Sequence, residues 1–313
     1  MKPKVDFFLV GMPRASTTSV SEYLREHPQI FMSSPKELNY FCKDLLIEYL
    51  DRHKPTPYSP RTRKQYEKLF ERAGERLRGE ASVWYLPSLN ASEHIYNYNP
   101  DAKIIMLLRE PTEWLQSTHA KYLSDLEETE EDLIKAISLE EERARGDNIP
   151  DRAIYPTHLQ YTRTAKLYDN VLRFLNYFPR KQVKIIIFDD IKKDVKKVMK
   201  EIYSFLDVDE DFEPTIRVYN SNHHLARPTL FKIITARPMY YPYKFFEKIM
   251  PQKAYANIKR KVFGLVHTYE PRKKELTTEQ RNFLKRKFKT QVTKLSVLLD
   301  RDLTTEWGYD NLS

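Results

Sequence analysis

The sequence predicts a three-layer α/β fold with a mostly parallel central sheet flanked by helices. Three observations carry that expectation. The runs Val5–Val10, Ala102–Leu108 and Val183–Phe188 are short, apolar and bounded by charge or Gly, as buried parallel strands are. Amphipathic helical spacing follows them, at Val20, Tyr23 and Leu24, and later from Val195 to Leu206. With 313 residues the chain is long enough for a sizeable core, and 1–313 reads as one domain.

The first strand opens into Gly11-Met12-Pro13-Arg14-Ala15-Ser16-Thr17-Thr18, and a helix follows. One cation followed by small residues lets a loop turn its N–H groups toward an anion. The hydroxyls of Ser16, Thr17 and Thr18 add donors, and the helix start adds partial positive charge. A capped helix start after an ordinary strand is the competing reading. The ATPase phosphate loop, G-x-x-x-x-G-K-[ST], is excluded, because Gly11 is followed by neither a second Gly nor a Lys-Ser/Thr pair.

A turn and short strand are expected within Pro28–Pro35, then Lys36-Glu37-Leu38-Asn39-Tyr40-Phe41. Glu37 is a general base if it faces the loop and an exposed ion-pair partner otherwise; the residues alone favour the ion pair. Residues 44–78, with Pro55, Pro57 and Pro60 and a helical stretch around Tyr66, Leu69 and Phe70, read as a surface excursion on the substrate side. In Gly79–Pro87, Trp84 and Tyr85 suit core packing and cleft lining equally.

Ala102–Leu108 is the clearest strand and ends at Arg109-Glu110-Pro111. Thr112 is placed to cap the next helix, which holds Trp114, Leu115, Thr118 and Tyr122. A cation at the carboxyl end of a central strand lies where open α/β sheets bind ligands. Ser117 follows Arg109 by eight residues, about two helical turns.

Further on, an acidic helix with a solvated charged face is expected over Glu127–Arg145, and a second amphipathic helix over Tyr161–Tyr177. The polar run Asn220-Ser221-Asn222-His223-His224 has a His pair without further ligands at set spacing, so no metal is expected. A final amphipathic helix is read over Leu276–Trp307.

The net charge is +9, and Leu225–Glu275, with 12 Lys or Arg against 3 Asp or Glu, accounts for all of it. Its cations interleave with aromatics, as suits an anionic membrane surface, an acidic glycan or a nucleic acid. The single cysteine, Cys42, excludes an internal disulfide framework and reads as a small buried hydrophobe in a reducing compartment. No apolar run reaches membrane-spanning length, and Met1-Lys2-Pro3-Lys4 leads straight into a strand of the fold rather than a signal peptide.

The opening loop resembles the 5′-phosphosulfate loop of the PAPS-dependent sulfotransferases. Arg14 takes the basic position, Thr17-Thr18 the hydroxyl pair, and Ser16 stands where that family usually has Gly. Lys36-Glu37-x-x-Tyr40-Phe41 resembles the Lys-Glu-x-x-[HYF]-Phe motif of the heparan-type and bacterial members, and Gly79-Glu80-Ala81-Ser82 resembles their Gly-Glu-[KA]-[ST] segment. Arg109 and Ser117 resemble the 3′-phosphate site.

The resemblance implies a P-loop-like fold. It implies transfer of a sulfuryl group from PAPS to a hydroxyl or amine of a carbohydrate, glycolipid or small-molecule acceptor, leaving PAP and requiring no metal. Glu37 would be the base, with Glu80 and the histidines next in line, and Arg14 would neutralise the bridging oxygen. Residues Arg14, Ala15, Ser16, Thr17, Thr18 and Ser19 would hold the 5′ end, Arg109 and Ser117 the 3′-phosphate, and Arg227 a cofactor phosphate. A cytoplasmic protein is expected, with the basic segment at the inner membrane surface or on the acceptor side, and no nucleic-acid partner. Two alternatives stand beside this: a P-loop kinase of small molecules, which needs magnesium ligands, and a non-catalytic basic membrane- or nucleic-acid-binding protein, which leaves both anion motifs unexplained.

Overall fold

The computed structural model describes residues 4–45, 62–153, 155–217, 224–225, 267–268, 275–310 and 312. Five strands, β1 (Phe7–Gly11), β2 (Ile30–Met32), β3 (Leu77–Ala81), β4 (Lys103–Leu108) and β5 (Val183–Ile187), form one parallel sheet in the order β2-β3-β1-β4-β5. Strands β1 and β4 sit in its middle. Phe7 through Val10 and Ile104 through Leu108 are wholly buried, which is why these runs carry no polar alternation. Helix α1 (Thr17–Glu26) leads from β1 to one side of the sheet, whereas β4 and β5 lie on the other. The chain therefore changes direction between β1 and β4, and the loops leaving their carboxyl ends part to form a crevice.

Several elements differ from the sequence expectation. Helix α2 (Arg63–Lys68) is not a surface excursion: Tyr66 and Phe70 are buried in the core, while residues 46–61 lie outside the described part. Strand β3 and helix α3 (Ala91–Tyr98) follow no strong periodicity and were not expected. Thr112 is not the cap of α4 (Pro111–Asp125). Glu110 is, accepting from the N–H groups of Thr112 at 2.8 Å and Glu113 at 2.6 Å.

The acidic stretch 127–145 is not one helix. Leu126 ends α4 in the left-handed region, and the chain resumes as α5 (Leu133–Ser138) and α6 (Glu140–Ala144). Its charge is not all solvated either. Glu128 is buried and takes two bonds of 2.8 Å from Arg143, which is also buried, and one of 2.8 Å from Tyr161. The expected helix over Tyr161–Tyr177 is broken at Lys166 into α7 (Tyr161–Ala165) and α8 (Leu167–Leu175).

After β5 come α9 (Phe188–Lys193) and α10 (Val195–Leu206). The backbone pair β6 (His224–Leu225) and β7 (His267–Thr268) is antiparallel. The last expected helix stops earlier than Trp307. Helix α11 (Thr278–Leu299) ends at left-handed Asp300, and α12 (Leu303–Glu306) follows. Arg301 clamps Asp190 of α9 at 2.6 and 2.9 Å, and Tyr309 donates to Glu110 at 2.5 Å, so the C-terminal helices dock on the ends of β4 and β5.

Gly11 is the residue that lets β1 close on β4. At φ +150° it has a conformation L side chains rarely adopt, and a Cβ there would lie 2.5 Å from the Leu107 carbonyl oxygen. Gly74, at φ +61°, has nothing within 4 Å of such a Cβ. Gly11→Ala is therefore expected to cost about 2–6 kcal/mol, from backbone strain and overpacking together. Gly74→Ala is expected to cost about 1–3 kcal/mol, from the positive-φ backbone alone. Urea midpoints of the two variants check the contrast, and equal losses would remove the steric account.

Candidate active site

The loop after β1 is held by the strand beside it. The Met12 N–H donates to the Leu107 carbonyl at 2.9 Å, and the Trp114 indole of α4 donates to the Pro13 carbonyl at 2.9 Å. Arg109, just past β4, donates to the Arg14 carbonyl at 3.0 Å. These bonds hold the loop in an unusual path, with Arg14 and Ser16 both left-handed at φ 64°. Ser16 occupies the N-cap of α1, yet its side chain caps nothing. The N–H groups of Thr17, Thr18 and Ser19 have no intrahelical partner, as in any first turn. An anion at that end receives them together with the helix dipole.

Arg14 and Ser117 meet directly, Nε to Oγ at 3.3 Å, although 103 residues separate them. The 5′ loop and the suggested 3′ site are thus two walls of one crevice. Burial, followed by the charge of Arg109, pushes the Arg14 guanidinium below its ordinary value. Two cations crowded in this way favour an anionic guest. Arg109 also pairs with Glu113 at 3.2 Å and lies 4.5 Å over the Phe188 ring, while its Nε is buried without a hydrogen-bond partner. Ala15 differs from its neighbours: its N–H is committed to the Met12 carbonyl at 3.3 Å and its methyl group is buried. Arg227, the histidine His223 and most of the basic segment lie outside the described residues.

A residue the sequence reading did not single out completes the wall. Lys36 Nζ lies 3.3 Å from the Thr17 hydroxyl, 3.2 Å from the Thr18 hydroxyl and 3.1 Å from Glu37 Oε1. Its sequence signals were adjacency to Glu37 and the lysine position of the Lys-Glu-x-x-[HYF]-Phe motif. Glu37 hangs where β2 and β3 end: its N–H donates to the Ala81 carbonyl at 2.9 Å, and its Oε2 accepts from the Val83 N–H at 2.9 Å. Its side chain stays about one-third exposed, so a proton acceptor is available to solvent beside the cation-lined crevice. Four strand ends thus contribute, with Arg14 and Thr17 following β1, Lys36 and Glu37 following β2, Val83 following β3, and Arg109 and Ser117 following β4.

Glu80, the reserve base, is placed differently. It is fully buried, and Tyr66, Ser82 and Tyr85 donate to it at 2.5, 2.6 and 2.8 Å. An acceptor has no path to it. Tyr85 is wholly buried, and Trp84 packs at 3.5 Å on His158, so both belong to the interior. Cys42 is buried as expected, and burial pushes its thiol well above the ordinary value.

A family model described as the sulfotransferase domain matches residues 4–296. A membrane-associated sulfotransferase, kil1, of Dictyostelium discoideum is 30% identical over 110 residues, 34% of this chain and 21% of that protein. Carbohydrate sulfotransferase 15 of Rattus norvegicus is 22% identical over 246 residues, 64% of this chain and 43% of the relative. Heparan sulfate glucosamine 3-O-sulfotransferase 5 of Mus musculus is 23% identical over 223 residues, 70% and 57% of the two. The matches thus span about a fifth to three fifths of these relatives' lengths. The solved structure of a sulfotransferase from Alicyclobacillus acidocaldarius superposes with a TM-score of 0.68 at 25% identity, covering 97% of this chain and 98% of that one.

The left-handed Ser16 accounts for the glycine usual at that position. Because its hydroxyl caps nothing, Ser16→Gly relieves about 1–2 kcal/mol of backbone cost against a smaller loss to the freer unfolded chain. Stability is expected to stay level or rise by up to about 1 kcal/mol in urea melts, while Ser16→Val, β-branched, should lower it. A Ser16→Gly variant that unfolds earlier would show that the hydroxyl has a role the geometry does not reveal.

Proposed function

This chain belongs to the sulfotransferase domain family, and from that premise we propose that it transfers a sulfuryl group from PAPS to a hydroxyl or amine of a carbohydrate or glycolipid acceptor. The observation that carries the reading is the crevice itself. Arg14, Lys36 and Arg109 converge with the Thr17 and Thr18 hydroxyls and a helix N-terminus, beside one partly exposed carboxylate, Glu37.

PAPS carries anionic groups at both ends, and the residues fit it. The first-turn N–H groups, Thr17, Thr18 and Lys36 would hold the phosphosulfate, and Arg109 and Ser117 the 3′-phosphate. The buried, unpartnered Nε of Arg109 supports the second assignment. When bound, the donor supplies sulfur activated by a phosphate leaving group. Glu37 takes the proton of the acceptor as its oxygen or nitrogen attacks sulfur. Arg14 places a fixed cation where negative charge gathers on the oxygen that parts from sulfur. Lys36 contacts both the hydroxyl pair and Glu37, so it can share its charge between the sulfuryl oxygens and the base. The glycan class of acceptor is supported by the names of the carbohydrate and heparan sulfate relatives. The excess positive charge of Leu225–Glu275 suits an anionic acceptor.

Two measurements test this. PAP is expected to bind without magnesium in titration calorimetry, and Arg109→Ala to weaken it by about 1.5–3 kcal/mol through loss of charge-assisted bonds. Magnesium-dependent ATP binding with no PAP binding would replace the reading with a kinase. Glu37→Gln is expected to keep PAP affinity while turnover drops roughly 10²–10⁴-fold, the range of a general base; a near-normal rate would remove Glu37 from that role.

A further inference from the structure

The loop that carries Glu37 needs an explanation of its own. Glu37 at φ 60° and Asn39 at φ 53° are both left-handed, without glycine's freedom. Two hydroxyls hold the strand of backbone just beyond Glu37. The Asn39 N–H donates to Ser82 Oγ at 3.2 Å, and the N–H groups of Tyr40 and Phe41 donate to the Tyr85 hydroxyl at 3.0 and 3.4 Å. Each of those hydroxyls in turn donates a hydrogen bond to one oxygen, Glu80 Oε1. Tyr66 donates to the other oxygen, and among the described residues its hydroxyl bonds none of the three loop amides. Aromatic rings wall this network off: Tyr40 stacks on Tyr66 at 4.6 Å, and Phe41 packs on Phe8, Tyr66, Tyr85 and Tyr98 at 5.1–5.9 Å.

We infer that Glu80 is a positioning residue for Glu37. Its carboxylate polarises the Ser82 and Tyr85 hydroxyls, and these grip three successive amides and hold the strained base loop in place. The inference rests on the reading of Glu37 as the base. A hydroxyl that donates to a carboxylate becomes a better acceptor, so the relay strengthens both of its links in a dry site. A neutral carboxyl accepts more weakly than a carboxylate at either oxygen, and a hydrogen carried on Oε1 would also turn one of the two gripping hydroxyls away. Burial drives Glu80 up to about 7, against the hydrogen bonds of Ser82, Tyr66 and Tyr85 and with the Glu37 charge adding to the rise. The titratable groups facing it are Tyr66 of α2, Tyr85 after β3, Tyr98 of α3, and Glu37 and Cys42 of the base loop.

The network offers its own control. Tyr85→Phe removes the arm of the relay that holds the Tyr40 and Phe41 amides, whereas Tyr66→Phe removes a bond to the same carboxylate outside that path. Both are expected to lower the melting temperature. The full chain is assayed with labelled PAPS and a panel of heparosan and chondroitin as acceptors. Tyr85→Phe is expected to lose at least tenfold in kcat with acceptor KM and PAP affinity within threefold of wild type. Tyr66→Phe is expected to keep its high-pH kcat within threefold. It should also move the acid limb of the pH–rate profile upward, because it removes a bond that favours the carboxylate. Equal kcat losses in the two variants, or an unmoved pH limb, would reduce the network to a structural role and overturn the inference.

Amide exchange gives a readout that needs no activity. The amides of Tyr40 and Phe41 should exchange at least tenfold faster in Tyr85→Phe, and at the wild-type rate in Tyr66→Phe. Unchanged exchange in Tyr85→Phe overturns the positioning. If wild type neither binds PAP nor transfers sulfate while the exchange pattern appears as expected, the failure belongs to the sulfotransferase reading and not to the network. The linkage sign adds a second structural check. A carboxyl raised from 4.5 to about 7 makes the folded chain hold the extra proton, so its contribution to stability is lost as pH rises through that window. Glu80→Gln lacks that slope. The melting-temperature difference between wild type and Glu80→Gln should change between pH 4.5 and 7 and level off above; a constant difference overturns the titration of Glu80.

Discussion

Everything at the crevice depends on how the loop after β1 is hung on the end of β4. Gly11 lets the two strands approach, and the Met12, Pro13 and Arg14 backbones are then bonded by Leu107, Trp114 and Arg109. Two of those three bonds come from side chains of the β4–α4 junction. The residues that would face the donor's 3′-phosphate therefore also shape the loop that would face its 5′ end. Arg109 joins the two tasks in one side chain, bonding the Arg14 carbonyl with one nitrogen while its Nε finds no partner. Loss of Arg109 consequently removes a cation and loosens a loop, and its effect on an anion at either end would not separate cleanly into two terms.

Much of this was legible in the sequence where residue type and position coincided with simple physics. The apolar runs of β1 and β4 could be nothing but buried strands, and cations following them at a direction change of the sheet fall where ligands bind. The eight-residue spacing pointed to Arg109 and Ser117 as a pair, whereas the Arg14–Ser117 contact, across 103 residues, gave no sequence signal. Other features left no such trace. Strand β3 reads Leu-Arg-Gly-Glu-Ala, two of its five residues charged, because Arg78 reaches out to Asp6 while Glu80 is buried among hydroxyls. A buried carboxylate satisfied by partners from α2 and from the turn after β3 cannot be told from an exposed one by sequence pattern. The same blindness produced the single acidic helix over 127–145: period counting places charge on a solvated face, while Glu128 and Arg143 satisfy each other inside.

Backbone strain marks the site independently of charge. Among the described residues, eight that are not glycine have positive φ, and four of them, Arg14, Ser16, Glu37 and Asn39, lie in the two loops that face each other. Leu126, Asp207 and Asp300 have an ordinary reason for the left-handed region, since each ends a helix. The four site residues end no helix. Their conformations persist because bonds from outside over-determine them: Arg109 and Trp114 hold the first pair, and Ser82, Tyr85 and Ala81 the second.

The two strained loops are in turn joined by one flexible side chain. Lys36 leaves the base loop and reaches the Thr17 and Thr18 hydroxyls of the opposite loop, keeping Glu37 within 3.1 Å. An ion pair this exposed adds little to stability by itself. Its value lies in what it holds apart. If the crevice takes the proposed polyanionic nucleotide, a carboxylate beside it would repel that guest, and a lysine between them would offset the repulsion while the second carboxylate oxygen stays fixed by the Val83 N–H. Fixed backbone on either side and one cation between them would let the proposed base and a polyanion occupy neighbouring positions in one crevice.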